Sequence, residues 1–137
     1  MKLTELRASD VMVKDILTVK PGDKISHAHL LMIKNNIGGI PVVEEDNILV
    51  GIITQRDISL SRLAIELEPS NNVGDLMTKN PKTVSKRETL KDILEKMFKY
   101  NIERLPVIEE NNRLIGLVLR EPILKKVLKF LNQQEKE

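Results

Sequence analysis

The chain of 137 residues contains no cysteine and no tryptophan, and it has only one tyrosine and two phenylalanines. The absence of cysteine excludes disulfide bonds, thiolate metal sites and a cysteine nucleophile. Because large aromatic side chains are scarce, the core must be built from isoleucine, leucine, valine and methionine. We therefore expect a protein with an aliphatic core.

The chain also lacks an excess of charge of one sign and any long apolar run. Its 22 basic and 20 acidic residues leave a formal net charge of +2, so no strong field would attract a polyanion and nucleic acid is not favoured as a partner. No apolar run approaches the length of a membrane span, and residues 1–5 lack the pattern of a secretion signal. We expect a cytoplasmic protein with no membrane partner.

What the sequence does contain is an internal repeat. Residues 10–58 and 75–123 align without a gap at an offset of 65 positions, and 17 of the 49 aligned residues are identical, whereas chance would give roughly 3. A unit of about 60 residues buries little surface by itself, so we expect the halves to fold against each other. The predicted division is 1–68 and 69–137, with a polar linker at 68–72.

The same order of elements is predicted in each half: strand, helix, strand, strand, helix. An extended pair, Thr18 with Val19 or Thr83 with Val84, leads through a turn into an amphipathic helix. Two short strands joined by a polar turn follow, at 40–43 and 48–53 in the first half and at 105–108 and 114–119 in the second. A closing helix ends each half, and residues 132–137 are predicted to form a frayed tail.

Each predicted helix carries its apolar residues at helical spacing, which indicates one buried face per helix. These faces are Ile25, Ala28, Met32 and Ile33; Leu60, Leu63, Ala64 and Leu67; Leu90, Ile93, Leu94, Met97 and Phe98; and Leu124, Val127, Leu128 and Leu131. Strands and helices alternate in both halves, so the sequence predicts a mixed α/β fold.

The sequence has few residues arranged for catalysis. His27 and His29, the only histidines, lie two positions apart on a predicted helix and therefore point about 200° apart, so they cannot readily share a metal. No nucleophile is paired with a base, and no glycine-rich phosphate loop is present. The sequence predicts no catalytic residue, no metal site and no enzyme activity.

One segment has the chemistry of a ligand site, namely the point where the predicted strand 48–53 runs into a helix. A helix N-terminus attracts anions, so Thr54 could hold a phosphate or ribose oxygen while the Asp57 carboxylate accepts hydrogen bonds from a ribose diol. The same two residues would also form a capping box worth about 1 kcal/mol to the helix, without any ligand. The second half has Leu119 and Pro122 at these places, which predicts one site of this kind and not two.

The ordered motifs resemble a tandem pair of cystathionine β-synthase (CBS) domains, together called a Bateman module. The resemblance covers nearly the whole chain and rests on Asp10-Val11-Met12 and Asp75-Leu76-Met77, the two Thr-Val pairs, Gly39-Ile40-Pro41-Val42 and Arg104-Leu105-Pro106-Val107, and Gly51 to Asp57. It implies two βαββα repeats related by a pseudo-two-fold axis, with sheets packed through a shared core. It also implies clefts between the repeats that bind adenosine-containing ligands.

Carried over position by position, the resemblance implies a set of ligand-binding residues. One loop would flank the adenine, a second segment would give apolar and backbone contacts, and the Thr-Asp pair would contact phosphate and ribose. Arg104 would either reach a phosphate or pair with Glu103 or Glu109 at the surface. The predicted residues are Ile16, Leu17, Thr18, Ile37, Gly39, Ile40, Pro41, Thr54, Asp57 and Arg104.

These observations predict a non-catalytic regulatory module without a permanent cofactor, with an adenine nucleotide or S-adenosyl compound as effector. Glu103 stands where the family often has a basic residue, so AMP or an S-adenosyl compound is favoured over ATP. The resemblance further implies a homodimer that pairs through helices and signals to a regulated protein. The alternatives are an interaction scaffold for protein or nucleic acid with a vestigial cleft, and a small enzyme with a carboxylate-bound metal.

Overall fold

A computed structural model describes residues 2–63 and 71–136, without the side chain of Leu63. The predicted boundary at 68/69, linker residues 68–70 and two members of one predicted helix face, Ala64 and Leu67, lie outside the described residues.

The described residues form six α-helices and six β-strands. The helices are α1 (Ala8–Val11), α2 (Ile25–Asn35), α3 (Gln55–Leu63), α4 (Val73–Leu76), α5 (Leu90–Tyr100) and α6 (Arg120–Glu135). The strands are β1 (Gly39–Glu44), β2 (Ile48–Thr54), β3 (Thr78–Lys79), β4 (Val84–Ser85), β5 (Arg104–Glu109) and β6 (Arg113–Leu119). The mixed α/β class is confirmed. The predicted elements follow one another in the predicted order, except that the Thr18-Val19 pair forms only an isolated bridge and not a strand. Helices α1 and α4 and strand β3 were not predicted.

The chain divides into two compact units that do not coincide with the sequence repeats. The first-repeat unit comprises Leu17–Pro81 and Asn111–Arg113, and the second-repeat unit comprises Met1–Ile16, Lys82–Glu110 and Leu114–Glu137. Each unit therefore contains the body of one repeat together with the leading segment of the other repeat. The leading segment is the part of a repeat that precedes its body; it ends at Ile16 in the first repeat and at Pro81 in the second.

In the first-repeat unit, β1 and β2 form the predicted hairpin, with Gly39 opposite Thr54. Val19 adds a parallel bridge to Val42 on the outer side of β1, and β3 pairs antiparallel with β2 on its other side. The sheet of this unit thus runs from Val19 through β1 and β2 to β3.

The second-repeat unit repeats this plan. Strand β4 lies parallel to β5, with Val84 opposite Val107, and β5 neighbours β6. The bridge of Val13 to Leu117 in β6 is antiparallel, and Val13 is the counterpart of Thr78 at the offset of 65 positions. Hence each sheet has a leading segment at the equivalent edge.

The side chain of a methionine in each leading segment packs on a glycine of the neighbouring strand and holds the segment against the sheet. A side-chain carbon placed at Gly51 would lie 2.6 Å from the Met77 sulfur and 2.9 Å from the Thr78 carbonyl oxygen. In the second-repeat unit, a carbon at Gly116 would collide with the Met12 sulfur. Only glycine leaves room for these contacts, which explains why both glycines and both methionines recur in the repeats.

The core is aliphatic, as the composition predicts, and each unit has a cluster of buried residues of its own. The first-repeat core holds Val19, Ile25, Ala28, Met32, Ile40, Val42, Ile53, Ile58 and Val73. The second-repeat core holds Leu6, Ala8, Val84, Leu90, Ile93, Met97, Leu105, Val107, Val118 and Ile123. The predicted faces of α2 and α5 supply both cores, but Ile33 and Phe98 are wrongly included, because they are 61% and 72% exposed.

The closing helix α6 differs from its prediction in two ways. It continues to Glu135, so the predicted frayed tail at 132–137 is wrong over most of its length. Its core contact is made by Ile123, with Val127 and Phe130 packed beside it. Three residues of the predicted face are 49–57% exposed instead, namely Leu124, Leu128 and Leu131.

Asparagine and aspartate hold the tight turns in place. Asp46, Asn47, Asn111 and Asn112 have positive φ angles in the two hairpin turns, and Asn36 and Asn101 have them at the ends of α2 and α5. These side chains tolerate the left-handed conformation better than other non-glycine residues do. The Asn112 amide also donates a hydrogen bond of 2.6 Å to the Leu49 carbonyl, so its turn is tied to the first-repeat unit.

Candidate ligand site

The junction of β2 and α3 contains the predicted Thr-Asp pair in a closed arrangement. The Thr54 N–H donates to Asp57 Oδ2 at 2.9 Å, and the Asp57 N–H donates to Thr54 Oγ1 at 3.1 Å. Both residues are half-buried. The capping box is therefore confirmed, and it fixes a hydroxyl and a carboxylate side by side at the helix N-terminus.

The second oxygen of the Asp57 carboxylate meets another segment of the same unit. The Thr78 hydroxyl donates to Asp57 Oδ1 over 3.4 Å, from the first position of β3. Sequence reasoning missed Thr78, because nothing local connects a residue of one repeat with a carboxylate of the other. A comparison of the repeats at both places contains the signal: Thr78 and Asp57 are polar, whereas Val13 and Pro122 are their counterparts.

Two further segments reach the same end of this sheet. Thr54 lies opposite Gly39 in the hairpin, and the next residue, Gln55, donates from its backbone N–H to the Gly38 carbonyl at 2.9 Å. The Gln55 side chain donates to the Ile37 carbonyl at 3.4 Å. On the outer side, the Val19 N–H donates to the Pro41 carbonyl at 3.1 Å.

Most of the predicted site residues consequently belong to the first-repeat unit, where their backbones converge on the beginning of β1 and the end of β2. These are Leu17, Thr18, Ile37, Gly39, Ile40, Pro41, Thr54 and Asp57. Ile40 is fully buried in the core, whereas Leu17 is 41% exposed. Of these two side chains, only that of Leu17 is open to an apolar ligand surface, and Ile40 can contribute only through its backbone.

The remaining two predicted residues, Ile16 and Arg104, fall in the second-repeat unit. The Arg104 guanidinium lies 4.0 Å from Glu103 Oε2, with its side chain only 22% exposed. Burial lowers the pKa of Arg104 from its ordinary value, and the charge of Glu103 opposes that shift by raising it. The pairing with Glu103 that sequence analysis left open is thus present.

The corresponding junction of the second-repeat unit is built from an ion pair. Arg120 begins α6, and its guanidinium donates to Glu103 Oε1 at 2.7 Å while its backbone N–H donates to the Glu103 carbonyl at 2.9 Å. Leu119 precedes the helix without a side-chain cap. The hydroxyl and carboxylate of the first junction are therefore replaced here by a guanidinium that already has a carboxylate partner.

The described residues contain no group of three or more metal-ligating side chains of the histidine, cysteine, aspartate or glutamate type. His27 is exposed and His29 is half-buried on α2. Within the same part of the chain, no helix is both long enough and apolar enough to span a membrane.

The CBS domain family model matches the chain twice, at residues 8–62 and 73–129. The chain belongs to the CBS domain family. Both matches contain the strand-to-helix junctions described above, so the resemblance found in the sequence motifs is confirmed.

Curated relatives share the CBS pair within longer proteins. Inosine-5'-monophosphate dehydrogenase of Methanocaldococcus jannaschii is 38% identical over 120 residues, which is 88% of this chain and 23% of the relative. The chain thus spans about a quarter of the length of the first curated relatives. Methylated protein MJ0556 of the same organism is 34% identical over 133 residues, covering 90% of this chain and 75% of the relative.

Solved CBS structures share the fold over most of their length. CBSX2 of Arabidopsis thaliana, in complex with AMP, has a TM-score of 0.81 at 27% identity, covering 90% of this chain and 97% of CBSX2. The CBS domain pair of protein MJ0100, in complex with 5'-methylthioadenosine and S-adenosyl-L-methionine, has a TM-score of 0.77 at 33% identity, covering 89% and 95%.

Proposed function

We propose that this CBS pair is a non-catalytic regulatory module that binds an adenosine-containing ligand at the β2–α3 junction. The observation that carries the proposal is the fixed arrangement of Thr54 and Asp57, whose side chains lie together at the N-terminus of α3. The solved neighbours support the ligand class, because CBSX2 was crystallised with AMP and MJ0100 with 5'-methylthioadenosine and S-adenosyl-L-methionine.

The chemistry of the junction suits a nucleoside. The Asp57 carboxylate can accept both hydrogen bonds of a ribose diol, and the first turn of α3 favours negatively polarised ligand atoms through its N–H groups and dipole. Leu17, exposed beside Thr18, offers an apolar surface for the adenine ring. Ile37 follows on the segment that is hydrogen-bonded to Gln55.

We propose AMP or an S-adenosyl compound ahead of ATP as the effector. The resemblance places Glu103 where family members often have a basic residue, and its negative charge disfavours a polyphosphate. The adenosine compounds bound in the CBSX2 and MJ0100 structures carry at most one phosphate group. ATP binding at least tenfold tighter than AMP would contradict this preference.

The effector would shift a conformational equilibrium that a regulated protein reads in the cytoplasm. We further propose that the module is a homodimer, because Leu124, Leu128 and Leu131 present an exposed apolar stripe on α6.

An interaction scaffold with a vestigial site is the second candidate. It is favoured by the capping box, which engages the Thr54 hydroxyl and one oxygen of Asp57 without any ligand.

The first experiment is a thermal-stability screen of the purified protein with AMP, ADP, ATP, S-adenosylmethionine, 5'-methylthioadenosine and NAD. A ligand present at 100 times its dissociation constant stabilises the folded state by about 2.7 kcal/mol. We expect AMP, S-adenosylmethionine or 5'-methylthioadenosine to raise the melting temperature. If none of the six compounds does so, the scaffold becomes the better description.

A further inference from the structure

The Asp57 carboxylate is held from two sides by segments that are distant in sequence. Oδ2 accepts the N–H of Thr54, and Oδ1 lies 3.4 Å from the hydroxyl of Thr78 in β3. The capping box needs only the first of these contacts. The contact with Thr78 is therefore additional to capping.

Backbone pairing fixes the position of Thr78. It lies opposite Ile52 in the antiparallel pairing of β2 with β3, two residues before Thr54. The preceding residue, Met77, packs on Gly51, where no larger residue fits without displacement. The hydroxyl of Thr78 is thus presented to Asp57 by a segment that is anchored to β2.

The second-repeat unit provides an internal comparison. There the place of Thr78 is taken by Val13, which bridges Leu117, and the place of Asp57 is taken by Pro122. A hydroxyl occurs on the leading segment where the helix offers a carboxylate, and it is missing where the helix offers none. The pairing of these two residue types follows the candidate ligand site and not the general plan of the fold.

We propose that Thr78 is a positioning residue, which orients the plane of the Asp57 carboxylate for recognition of a ribose diol; the inference rests on the proposed function. The terminal torsion of an aspartate is broad, so the cap bond alone leaves the direction of Oδ1 loosely defined. The hydrogen bond from Thr78 restricts the range of directions that Oδ1 can take. A carboxylate that is oriented in advance loses less freedom when both of its oxygens engage a ligand.

The test compares Thr78→Val, which removes the hydroxyl at nearly constant volume, with Thr78→Ser, which keeps it. The probes are AMP, 5'-methylthioadenosine and 2',3'-dideoxy-AMP, with binding measured by calorimetry. We expect Thr78→Val to weaken AMP and 5'-methylthioadenosine by about 3- to 10-fold, as the loss of one hydrogen bond implies. Binding of the dideoxy compound, which has no diol, should change less than twofold. The Thr78→Ser protein, which keeps the hydroxyl, should bind AMP and 5'-methylthioadenosine about as tightly as the wild type.

The counterpart substitution Val13→Thr is the matched control, and it should change no affinity, because Pro122 offers no carboxylate to orient. A Thr78→Val protein that binds AMP and the dideoxy compound with the wild-type ratio would overturn the positioning role. If Asp57→Ala then still lost AMP binding, the proposed function would stand without it. If the wild-type protein bound neither these probes nor S-adenosylmethionine, both would fall together.

Discussion

Replacement of Asp57 by alanine separates a ligand-binding carboxylate from a simple helix cap. The change removes the 2.9 Å hydrogen bond from the Thr54 N–H and the 3.4 Å contact with Thr78. The Thr54 N-cap bond survives, because the backbone N–H of residue 57 donates it. Loss of the reciprocal bond of the capping box should cost about 1 kcal/mol of unfolding free energy, within the range of roughly 0.5–2 kcal/mol for helix caps. For a protein of this size the melting temperature should fall by about 4 °C.

The chain offers a matched control in another Thr-Asp capping box, at the start of α5. There the Asp92 N–H donates to Thr89 Oγ1 at 3.1 Å, and the Thr89 N–H donates to Asp92 Oδ2 at 3.4 Å. Asp92→Ala therefore removes the same kind of cap from an exposed helix start. Its reciprocal bond is longer than that of Asp57, so we expect a loss of unfolding free energy at the lower end of the range, about 0.5 kcal/mol.

Ligand affinity distinguishes the two variants. Hydrogen bonds to a charged group are worth about 1.5–3 kcal/mol each, so Asp57→Ala should weaken AMP or 5'-methylthioadenosine by roughly 10- to 100-fold or more. Asp92→Ala should leave both affinities within about twofold. Calorimetric titration measures the affinities and urea unfolding measures the stabilities. A change below about threefold for Asp57→Ala, in a protein that does bind AMP, would refute a ligand role and leave Asp57 as a cap only.

Two other expectations concern stability and are measured by urea unfolding. Gly51→Ala should lower the unfolding free energy more than Gly116→Ala does. The carbon added at Gly51 meets a backbone carbonyl oxygen at 2.9 Å as well as a methionine, whereas the nearest atoms at Gly116 all belong to a methionine side chain. Overpacking typically costs about 1–3 kcal/mol, and equal losses of unfolding free energy would contradict this reasoning. Lys96→Met should lower the unfolding free energy by about 1 kcal/mol, because the half-buried Lys96 ammonium donates a hydrogen bond of 2.8 Å to the Thr83 carbonyl. Lys91→Met should have almost no effect, because its ion pair is long at 3.9 Å and mostly exposed, and a loss as large as that of Lys96→Met would refute the reasoning.

The strands and amphipathic helices of the fold could be read from the sequence because local spacing encodes them. Alternation and helical periodicity gave both hairpins and the start of α5 at Leu90. The errors lie at places where local pattern carries no information about partners. Phe98 continues the apolar stripe of α5 and yet faces away from the core. The stripe of α6 was centred one position too late, because Ile123 makes the core contact.

In the candidate site, too, local motifs were predictable from the sequence and contacts between distant segments were not. Thr54 and Asp57 form a short-range motif, and their reciprocal hydrogen bonds follow from spacing alone. Thr78 could not be found in that way, because it reaches Asp57 through the pairing of β3 with β2. Ile40 remains a prediction from the family resemblance, and its fully buried side chain restricts it to a backbone contact.

The sequence by itself determined the duplication, most of the order of elements and the Thr-Asp pair at the junction of β2 and α3. These properties are written in residue spacing and in comparison of one repeat with the other. Tertiary structure alone decided that the segment ending in Met12 joins the body of the second repeat and the segment ending in Met77 joins that of the first. The physical reason is that two similar leading segments fit two similar glycine-containing strands, and only chain connectivity and packing select between the pairings.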